Sequence, residues 1–259
     1  MLRSKAFFTA TAAATVFAAI ATSANAGVIP VVKYSASDVY YNHGGQPYRV
    51  IDGSGMNGYN YTSGAYHLPP TWPTGDPSTW TATSKDYHDE WQTTNGKFIT
   101  ASTTDGQIAW MIFDLGSPVS NLDKIYIWNA REGTTKQVKT YNVFYATSPT
   151  NLPQEYSGAI TSSKPYIGAY DFPTQNWTKV NSSALTLGSL TTGGYADGQV
   201  ALGGVTAQYL AVEILTPYSS ANTQVGLAEV GITVVPEPAS LALLGLGGLL
   251  IAGGRRRRA

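Results

Sequence analysis

One aspartate in this chain stands in a turn whose residues suit a hard cation. Asp52 lies in the glycine-rich stretch Ile51–Gly58, together with Ser54 and Asn57. Ca²⁺ takes several oxygen ligands, main-chain carbonyls among them, and glycines permit the sharp backbone curvature that such a shell needs. The simpler alternative is a turn aspartate that faces solvent. The turn predicts a structural calcium site, with Asp52 as the main side-chain ligand and Asn57 or Ser54 as weaker candidates.

The segment from residue 53 to residue 106 is rich in aromatic side chains and prolines. Long loops in compact domains are usually functional or disordered, and so many aromatic residues argue against disorder. Sugars are held by aromatic rings stacked on their C–H faces and by hydrogen bonds to their hydroxyls. We therefore expect a carbohydrate site here, although at least half of the rings should only pack the segment onto the domain. The candidate ligand-binding residues are Tyr66, His67, Trp72, Trp80, His88 and Trp91, with Arg131 on a separate loop.

Motifs for catalysis are sparse. The sequence has no Gly-x-Ser-x-Gly elbow, no His-Glu-x-x-His pair and no cysteine, which excludes thiol chemistry. In a strand, His88 and Glu90 would share a face, as a metal site requires, but three adjacent polar residues at His88–Glu90 are more often a solvated loop. A carboxylate pair for glycoside hydrolysis stays open, because no spacing singles one out. We assign no catalytic residue and expect a protein that is not an enzyme.

The elements that must position these side chains are strands. Ile108–Phe113 is a continuous apolar run, typical of a strand buried on both faces, while Lys124–Asn129 and Lys139–Tyr145 alternate. Asp-Gly, Gly-Gly and Ser-Pro pairs separate such segments, and no amphipathic helix is predicted between residues 27 and 236. Short strands at this spacing predict an all-β sandwich or barrel. Further strands are predicted at Trp177–Val180, Ala184–Leu187, Gln199–Leu202, Tyr209–Leu215 and Leu227–Val235.

Several motifs along the chain stand in a recognisable order. They are Arg49–Gly55, Trp110–Gly116, Leu122–Asn129, Lys139–Ser148, Gln208–Glu213 and Leu227–Val230. Together they resemble the discoidin domain, also called the coagulation factor C-domain type, over roughly residues 34–233. The resemblance implies a galactose-binding-like jelly-roll β-sandwich that usually binds rather than cleaves. It also implies a structural calcium between the Asp52 turn and an acid near the last strand, the position of Glu229. Within these motifs, Asp114 and Gly116 form a structural turn at the end of a buried strand.

The N-terminus has the three parts of a secretory signal peptide. Arg3 and Lys5 precede the apolar run Ala6–Ile20, and Ala24–Ala26 is a small-x-small cleavage site. We expect signal peptidase to cut after Ala26, so that the mature chain begins at Gly27.

The C-terminus consists of a Pro-Glu-Pro motif, a stretch without charged residues and a cluster of four arginines. Pro236, Glu237 and Pro238 precede residues 239–254, and Arg255, Arg256, Arg257 and Arg258 follow. A helix over that stretch would be about 24 Å long, short for a bilayer core of about 30 Å but sufficient with local thinning. A core helix is the alternative, but it would show a polar face, and arginines stay on the cytoplasmic side of a membrane.

This order resembles the PEP-CTERM sorting signal of exported bacterial proteins. The resemblance implies that an exosortase cuts near Pro236–Pro238, so that residues 239–254 anchor the chain in the membrane only transiently before it reaches the cell surface or extracellular matrix. We predict a signal peptide at residues 1–26, a discoidin-like sandwich at 27–235 and the sorting signal at 236–259.

The net charge of zero conceals an acidic mature domain. Six of the 16 basic residues lie in the two removable segments, whereas all 16 acidic residues lie between residues 27 and 238, which leaves about −6. Nucleic acid and anionic lipid are poor partners for such a surface. We therefore predict an exported, non-catalytic module that binds polysaccharide. The alternatives are a structural matrix or adhesion protein and a glycan-active enzyme of unrecognised type.

Overall fold

The computed structural model describes residues 27–39, 45–53, 56, 72, 76–82, 90–93, 109–158, 160, 170–189, 194–219 and 224–235. The signal peptide, the sorting signal, and Ser54, Asn57, Tyr66, His67 and His88 lie outside these ranges. The described strands are β1 (Lys33–Ala36), β2 (Trp91–Gln92), β3 (Ala109–Asn129), β4 (Val138–Ala146), β5 (Thr178–Lys179), β6 (Leu185–Thr186), β7 (Gly198–Pro217) and β8 (Gly226–Val234). Short 3-10 helices lie at Pro47–Val50, Pro77–Thr79, Thr134–Lys136 and Phe172–Gln175.

The strands pair antiparallel in the order β2-β8-β3-β7-β4-β5. Strand β1 also pairs with β3, and β6 pairs with β4. The long strands β3 and β7 form the central ribbon, whose register runs from Ala109 opposite Ile214 to Ile127 opposite Gly198. The whole network lies in one compact unit, residues 27–235.

The β3–β7 ribbon is bent near its middle. Its register shifts at several points between Asp114 and Lys124. Positive φ angles occur at Gly116 (82°) and Asn121 (57°) on β3, and at Gly203 (69°) and Gly204 (75°) on β7. Glycine and asparagine tolerate this region of φ, so the sequence permits the bend where it occurs. The bend divides the ribbon into a first half, which pairs with β1 and β4, and a second half, which pairs with β8.

Alternating side chains place the main core between the two halves. Met111 and Phe113 of the first half belong to the same buried cluster as Ile125 and Ile127 of the second. Their neighbours along β3 point to the opposite faces and form two outer clusters, one around Trp110 and one around Trp128. Successive side chains in a strand face opposite sides, so the halves pack face to face as a sandwich. The prediction of an all-β sandwich is confirmed.

The predicted strands agree with the observed ones, but two pairs of them are continuous. Residues 109–113 of the first predicted strand and Lys124–Asn129 fall in the single strand β3, and Gln199–Leu202 and Tyr209–Leu215 both fall in β7. Asp114 makes the expected turn contact, because its Oδ1 accepts a hydrogen bond from the Gly116 amide at 2.8 Å. The strand nevertheless continues through this turn, since the partner strand bends with it.

The sandwich has a bend end and an open end. Val28 bridges to Thr233, and the Val32 amide donates to the Asp114 carbonyl at 2.8 Å, so both termini of the described chain lie beside the bend. At the open end the end of β3 meets the beginning of β4, where the Val138 amide donates to Asn129 Oδ1 at 2.9 Å. The open end therefore collects the loops that precede β2, follow β3 and precede β7.

Candidate functional site

Asn129 organises the open end where β3 ends. Its Nδ2 donates to the carbonyls of Val138 (2.8 Å) and Gly188 (3.1 Å), while its Oδ1 accepts from the Val138 amide. A buried amide with its hydrogen bonds satisfied fixes the groups around it. Asn129 thus holds the loop after β3 and the segment after β6 in one arrangement.

A buried ion pair lies next to Asn129. Arg131 Nη2 is 2.8 Å from Asp197 Oδ2, and the two side chains are only 5% and 0% exposed. The same Nη2 donates to the main-chain carbonyls of Tyr195 (3.1 Å) and Gly194 (3.4 Å), and Asp197 Oδ2 also accepts from the Asn129 amide at 2.7 Å. Burial lowers the pKa of Arg131, and the carboxylates of Asp197 and Glu90 oppose that change. The pair is a charged clamp on the backbone of residues 194–197.

Glu90 completes this network from the other side. Its Oε2 accepts from the Arg131 amide at 2.7 Å, and its Oε1 accepts from Gln92 Nε2 at 2.5 Å. Gln92 Nε2 also donates to Glu132 Oε2 at 2.5 Å, and Lys136 Nζ reaches Gln92 Oε1 at 3.0 Å. Burial raises the pKa of Glu90 to about 7, although the Arg131 amide and Gln92 lower it. The segment before β2 is therefore joined to the loop after β3 through one buried carboxyl.

The aromatic segment reaches this network through Gly194 and Tyr195. The Ala82 amide donates to the Gly194 carbonyl at 2.7 Å, and Thr81 bridges to Tyr195. Gly194 has φ +73°, and a Cβ there would lie 2.3 Å from the Ala82 carbonyl oxygen, so no other residue fits. The carbonyls that Arg131 binds thus belong to the segment before β7 that bridges to the aromatic segment.

Tyr195 is a large exposed side chain at this junction, with 49% of its surface accessible. Trp80, one residue before Thr81, is buried and stacks on the half-buried Trp72, with ring centroids 5.8 Å apart. We call Trp72, Trp80, Arg131, Tyr195 and Asp197 the Tyr195 corner. It combines an exposed aromatic ring with a buried ion pair that holds the backbone beneath it.

The predicted ligand residues differ from one another in how far they are buried. Trp91 is fully buried in the main core, and its Nε1 donates to the Asp38 carbonyl at 2.8 Å. Trp80 packs onto the second half of the sandwich, and Arg131 is buried in its ion pair. Trp72 alone among the four described residues keeps part of its surface accessible. Tyr66, His67 and His88 lie outside the described ranges.

Sequence reasoning missed Tyr195, Tyr218, Glu90 and Asp197 as parts of the open end. Tyr218 is 38% exposed, and its hydroxyl donates to the Leu187 carbonyl at 2.7 Å. A signal for Tyr195 existed, because a tyrosine inside the glycine-rich turn at residues 193–198 is easily exposed. Nothing local marked Asp197, whose partner Arg131 is 66 residues away in sequence.

The two predicted calcium residues that the structure describes are buried. Asp52 is 1% exposed and Glu229 is 0% exposed. Arg49 Nη1 lies 3.9 Å from Asp52 Oδ2, and the helix that carries Arg49 packs against β8, the strand of Glu229. Buried carboxylates suit a hard cation, but the Arg49 guanidinium already supplies one positive charge beside Asp52. Within the described ranges no group of three or more metal-ligating side chains occurs, so the calcium site stays a prediction.

Comparison with known proteins identifies the C-terminal signal. Residues 234–258 match the PEP-CTERM protein-sorting motif, which confirms the sequence prediction and marks the chain for export and sorting to the cell surface. A search of curated protein sequences finds no match. In the part of the chain that is described, no helix is long and apolar enough to span a membrane. The predicted anchor at residues 239–254 lies outside that part.

Solved structures similar to this chain include three sugar-binding modules. A fucose-binding module of Streptococcus pneumoniae has a TM-score of 0.43 and 15% identity, covering 82% of this chain and 96% of that one. The lectin domain of lectinolysin complexed with Lewis B antigen has values of 0.40 and 17%, covering 78% and 92%. The family 32 module of Clostridium perfringens NanJ in complex with galactose has 0.41 and 13%, covering 81% and 98%.

Proposed function

We propose that this protein is an exported, non-catalytic carbohydrate-binding protein that acts at the cell surface or in the extracellular matrix. The observation that carries the proposal is the exposed Tyr195 ring, whose backbone is clamped by the buried Arg131–Asp197 pair. The sorting motif supplies the destination, where polysaccharide is an available ligand.

An aromatic residue whose backbone is already fixed suits sugar binding, because it loses little conformational entropy when the sugar binds. Association loses the entropy of each side chain or loop that must be fixed, and a preorganised site avoids that loss. The Tyr195 carbonyl accepts a hydrogen bond from Arg131, and Thr81 bridges to Tyr195. The positive φ of Gly194 and its close contact with Ala82 fix the backbone just before Tyr195. Polar groups stand nearby on the same network: Glu132 and Lys136 are partly exposed and offer an acceptor and a donor for hydroxyls.

The acids of this network support binding rather than hydrolysis. Glu90 and Glu132 share the Nε2 group of Gln92, and Asp197 is paired with Arg131. A glycosidase needs one carboxyl to protonate the leaving oxygen and another to act as base or nucleophile. In the described part of the open end, each of these carboxylates already has a structural partner. The surplus of acidic residues also favours a neutral or cationic glycan over an acidic one.

A glycan array tests the proposal with the fragment Gly27–Val235, which holds all the described strands and the whole core. We expect binding by the wild type and by Y195F, which keeps the ring, and loss of binding by Y195A. Tyr218→Phe is the matched control, because it alters another exposed tyrosine of the open end. A flat array with self-association would favour a structural matrix protein, and turnover of a polysaccharide would show an enzyme.

The processing part of the proposal concerns the C-terminus. An exosortase would release the chain near Pro236–Pro238 after transient anchoring by residues 239–254. We expect mass spectrometry of the mature surface protein to show Gly27 at the start and no Arg255–Arg258. A mature chain that retains these arginines would contradict transient anchoring and leave the sugar-binding proposal untouched.

We also propose that Ca²⁺ stabilises the sandwich beside the Asp52 turn, with Asp52 and Glu229 as carboxylate ligands. The support is the burial of both carboxylates and the resemblance from which Glu229 was predicted. Arg49 competes for Asp52, so the affinity for the ion should be modest. The ion's role here would be to hold the turn, apart from the Tyr195 corner.

A further inference from the structure

Gln92 lies at the centre of the polar network of the open end, and its amide faces partners of opposite kind. Its Nε2 donates to Glu90 Oε1 and to Glu132 Oε2, each at 2.5 Å. Its Oε1 accepts from Lys136 Nζ at 3.0 Å. An ammonium group only donates and a carboxylate only accepts, so these three neighbours fix which way the Gln92 amide points.

The neighbours of Gln92 differ in how far they are exposed. Glu90 is 1% exposed and Gln92 0%, whereas 30% of the Glu132 side chain and 17% of the Lys136 side chain are accessible. Lys136 Nζ also lies 2.5 Å from Glu132 Oε2, so these two side chains form a surface pair that both contact Gln92. Gln92 therefore connects a buried carboxyl to a surface pair next to Arg131 of the Tyr195 corner.

The observed orientation of Gln92 suits only an ionised Glu90. Glu90 Oε2 accepts from the main-chain amide of Arg131 at 2.7 Å, and Glu90 Oε1 accepts from Gln92. Both neighbours are donors, so a protonated Glu90 would have no acceptor for its own hydrogen. The Arg131 amide can only donate, whereas the Gln92 amide carries both an acceptor and a donor, which exchange places when the group makes a half-turn.

Protonation of Glu90 would therefore turn the Gln92 amide by about 180°. The Gln92 oxygen would then accept the hydrogen of Glu90, and the Gln92 nitrogen would face Lys136. That arrangement sets donor against donor at Lys136 and acceptor against acceptor at Glu132. The surface pair would lose both of its hydrogen bonds to the buried amide.

We propose that Gln92 is a positioning residue for glycan binding, which holds Glu132 and Lys136 in place only while Glu90 is ionised. With the amide as observed, the carboxylate and the ammonium group are fixed, and they meet the hydroxyls of a sugar at little cost in conformational entropy. With the amide turned, the sugar itself must order the two side chains. Glycan binding beside the Tyr195 corner therefore weakens when Glu90 gains a proton.

The surroundings of Glu90 set this change near neutral pH. Burial raises the pKa of Glu90 to about 7, whereas its two hydrogen bonds lower it; Glu132 raises the pKa and Lys136 lowers it. The guanidinium of Arg131 also interacts with Glu90, and Asp197 balances the charge of that guanidinium. Glu90 thus changes charge between about pH 6 and about pH 8.

Nuclear magnetic resonance tests the Gln92 step without a sugar, on the 15N- and 13C-labelled fragment Gly27–Val235. The probe is the side-chain amide signal of Gln92, assigned through its own side-chain carbons. We expect this signal to shift with the same midpoint as the carboxyl carbon of Glu90. In Glu90→Gln the substituted amide donates as a protonated carboxyl does, so the Gln92 signal should stay at its low-pH position throughout the titration.

The glycan array tests the effect on binding, with the same neutral glycans read at about pH 6 and about pH 8. This inference rests on the proposed function, because it needs a glycan at the Tyr195 corner. We expect wild type to bind about fivefold more tightly at the higher pH, as the gain of about one hydrogen bond implies. Glu90→Gln should bind weakly at both pH values, because it mimics the protonated state.

Glu155→Gln is the matched control. Burial raises the pKa of Glu155 as well, but this residue lies on the loop after β4 and outside the Gln92 network, so its substitution should leave the pH dependence of binding unchanged. A Gln92 signal that does not follow the titration of Glu90 would overturn the inference alone. Equal binding by wild type at both pH values, or an E90Q variant that keeps the pH dependence, would do the same. No binding to any glycan at either pH would overturn it together with the proposed function.

Discussion

Arg131 and Asp197 form a buried ion pair that joins the loop after β3 to the segment before β7, which carries the exposed ring of Tyr195. The Nη2 to Oδ2 distance is 2.8 Å, and the same nitrogen binds the Tyr195 carbonyl at 3.1 Å. A buried pair of this kind contributes little when exchanged as a whole for apolar residues, but the loss of one partner leaves a bare charge inside the protein. Its main effect is to specify where residues 194–197 lie.

Removing the Asp197 charge should therefore be costly. We expect D197A to lower the free energy of unfolding by about 3–5 kcal/mol, because Arg131 would stay buried without its counter-charge. Urea denaturation measures the change. The matched control is E132Q, which breaks the more exposed Lys136–Glu132 pair at 2.5 Å and should cost no more than about 1 kcal/mol. Equal effects of the two variants would contradict a buried Arg131–Asp197 pair.

Glu90 should make stability depend on pH. Its folded pKa is about 7, above the ordinary value of 4.5, so the folded state holds a proton that the unfolded state releases. Stability is then fully present below pH 4.5 and falls as pH rises to about 7. The fall is at most about 3 kcal/mol, at 1.36 kcal/mol per pKa unit.

Comparison of wild type with E90Q at about pH 5 and about pH 8 isolates this contribution. Other groups, Glu213 among them, titrate in both proteins and cancel in the difference. We expect urea denaturation to show E90Q gaining stability relative to wild type at the higher pH. A difference between the two proteins that is independent of pH would show that the Glu90 carboxyl does not titrate in this range.

Gly194 offers a test of how the corner is held together. We expect G194A to lower the melting temperature and weaken glycan binding, because its Cβ would lie 2.3 Å from the Ala82 carbonyl oxygen and φ is +73°. Gly203→Ala is a close control, since Gly203 has φ +69° but nothing within 4 Å of a Cβ. It should cost only the backbone term of about 1 kcal/mol. Similar melting temperatures for both variants would contradict a close contact between residue 194 and the Ala82 carbonyl oxygen.

Much of the sandwich could be predicted because its signals are local. The alternation in Lys124–Asn129 and Lys139–Tyr145 requires only a pleated strand with one buried face. The short strands β1 and β2 were missed, because two to four residues carry too little periodicity. The continuity of β3 through Gly116 was also missed, since a glycine turn at the end of a strand and one inside a bent strand look the same in sequence.

The candidate site was harder to predict, because its parts come together from distant segments. Trp91 looked like a ligand ring in an aromatic-rich segment, yet its pairing opposite Leu227 places it in the core. Arg131 was predicted as a ligand residue on a separate loop, but its partner Asp197 could not be predicted, because three strands, β4, β5 and β6, separate the two residues in sequence. Composition identifies which residues can bind a sugar, and only the pairing of strands decides which of them stay exposed.

Calcium should raise the melting temperature if the Asp52 turn holds the ion. A ligand that binds only the folded state stabilises it in proportion to the logarithm of its concentration over Kd. We expect a rise with Ca²⁺ relative to chelator in wild type, and no rise in D52N. An unchanged melting temperature in wild type would contradict a calcium site at the Asp52 turn.

The most direct test of the central claim is the affinity of wild type, Y195F and Y195A for the glycan selected by the array. We predict that wild type and Y195F bind, and that Y195A loses at least about tenfold in affinity while its melting temperature stays within a few degrees of wild type, since an exposed ring adds little to stability. Full glycan affinity in a folded Y195A protein would contradict the assignment of the Tyr195 corner as the binding site.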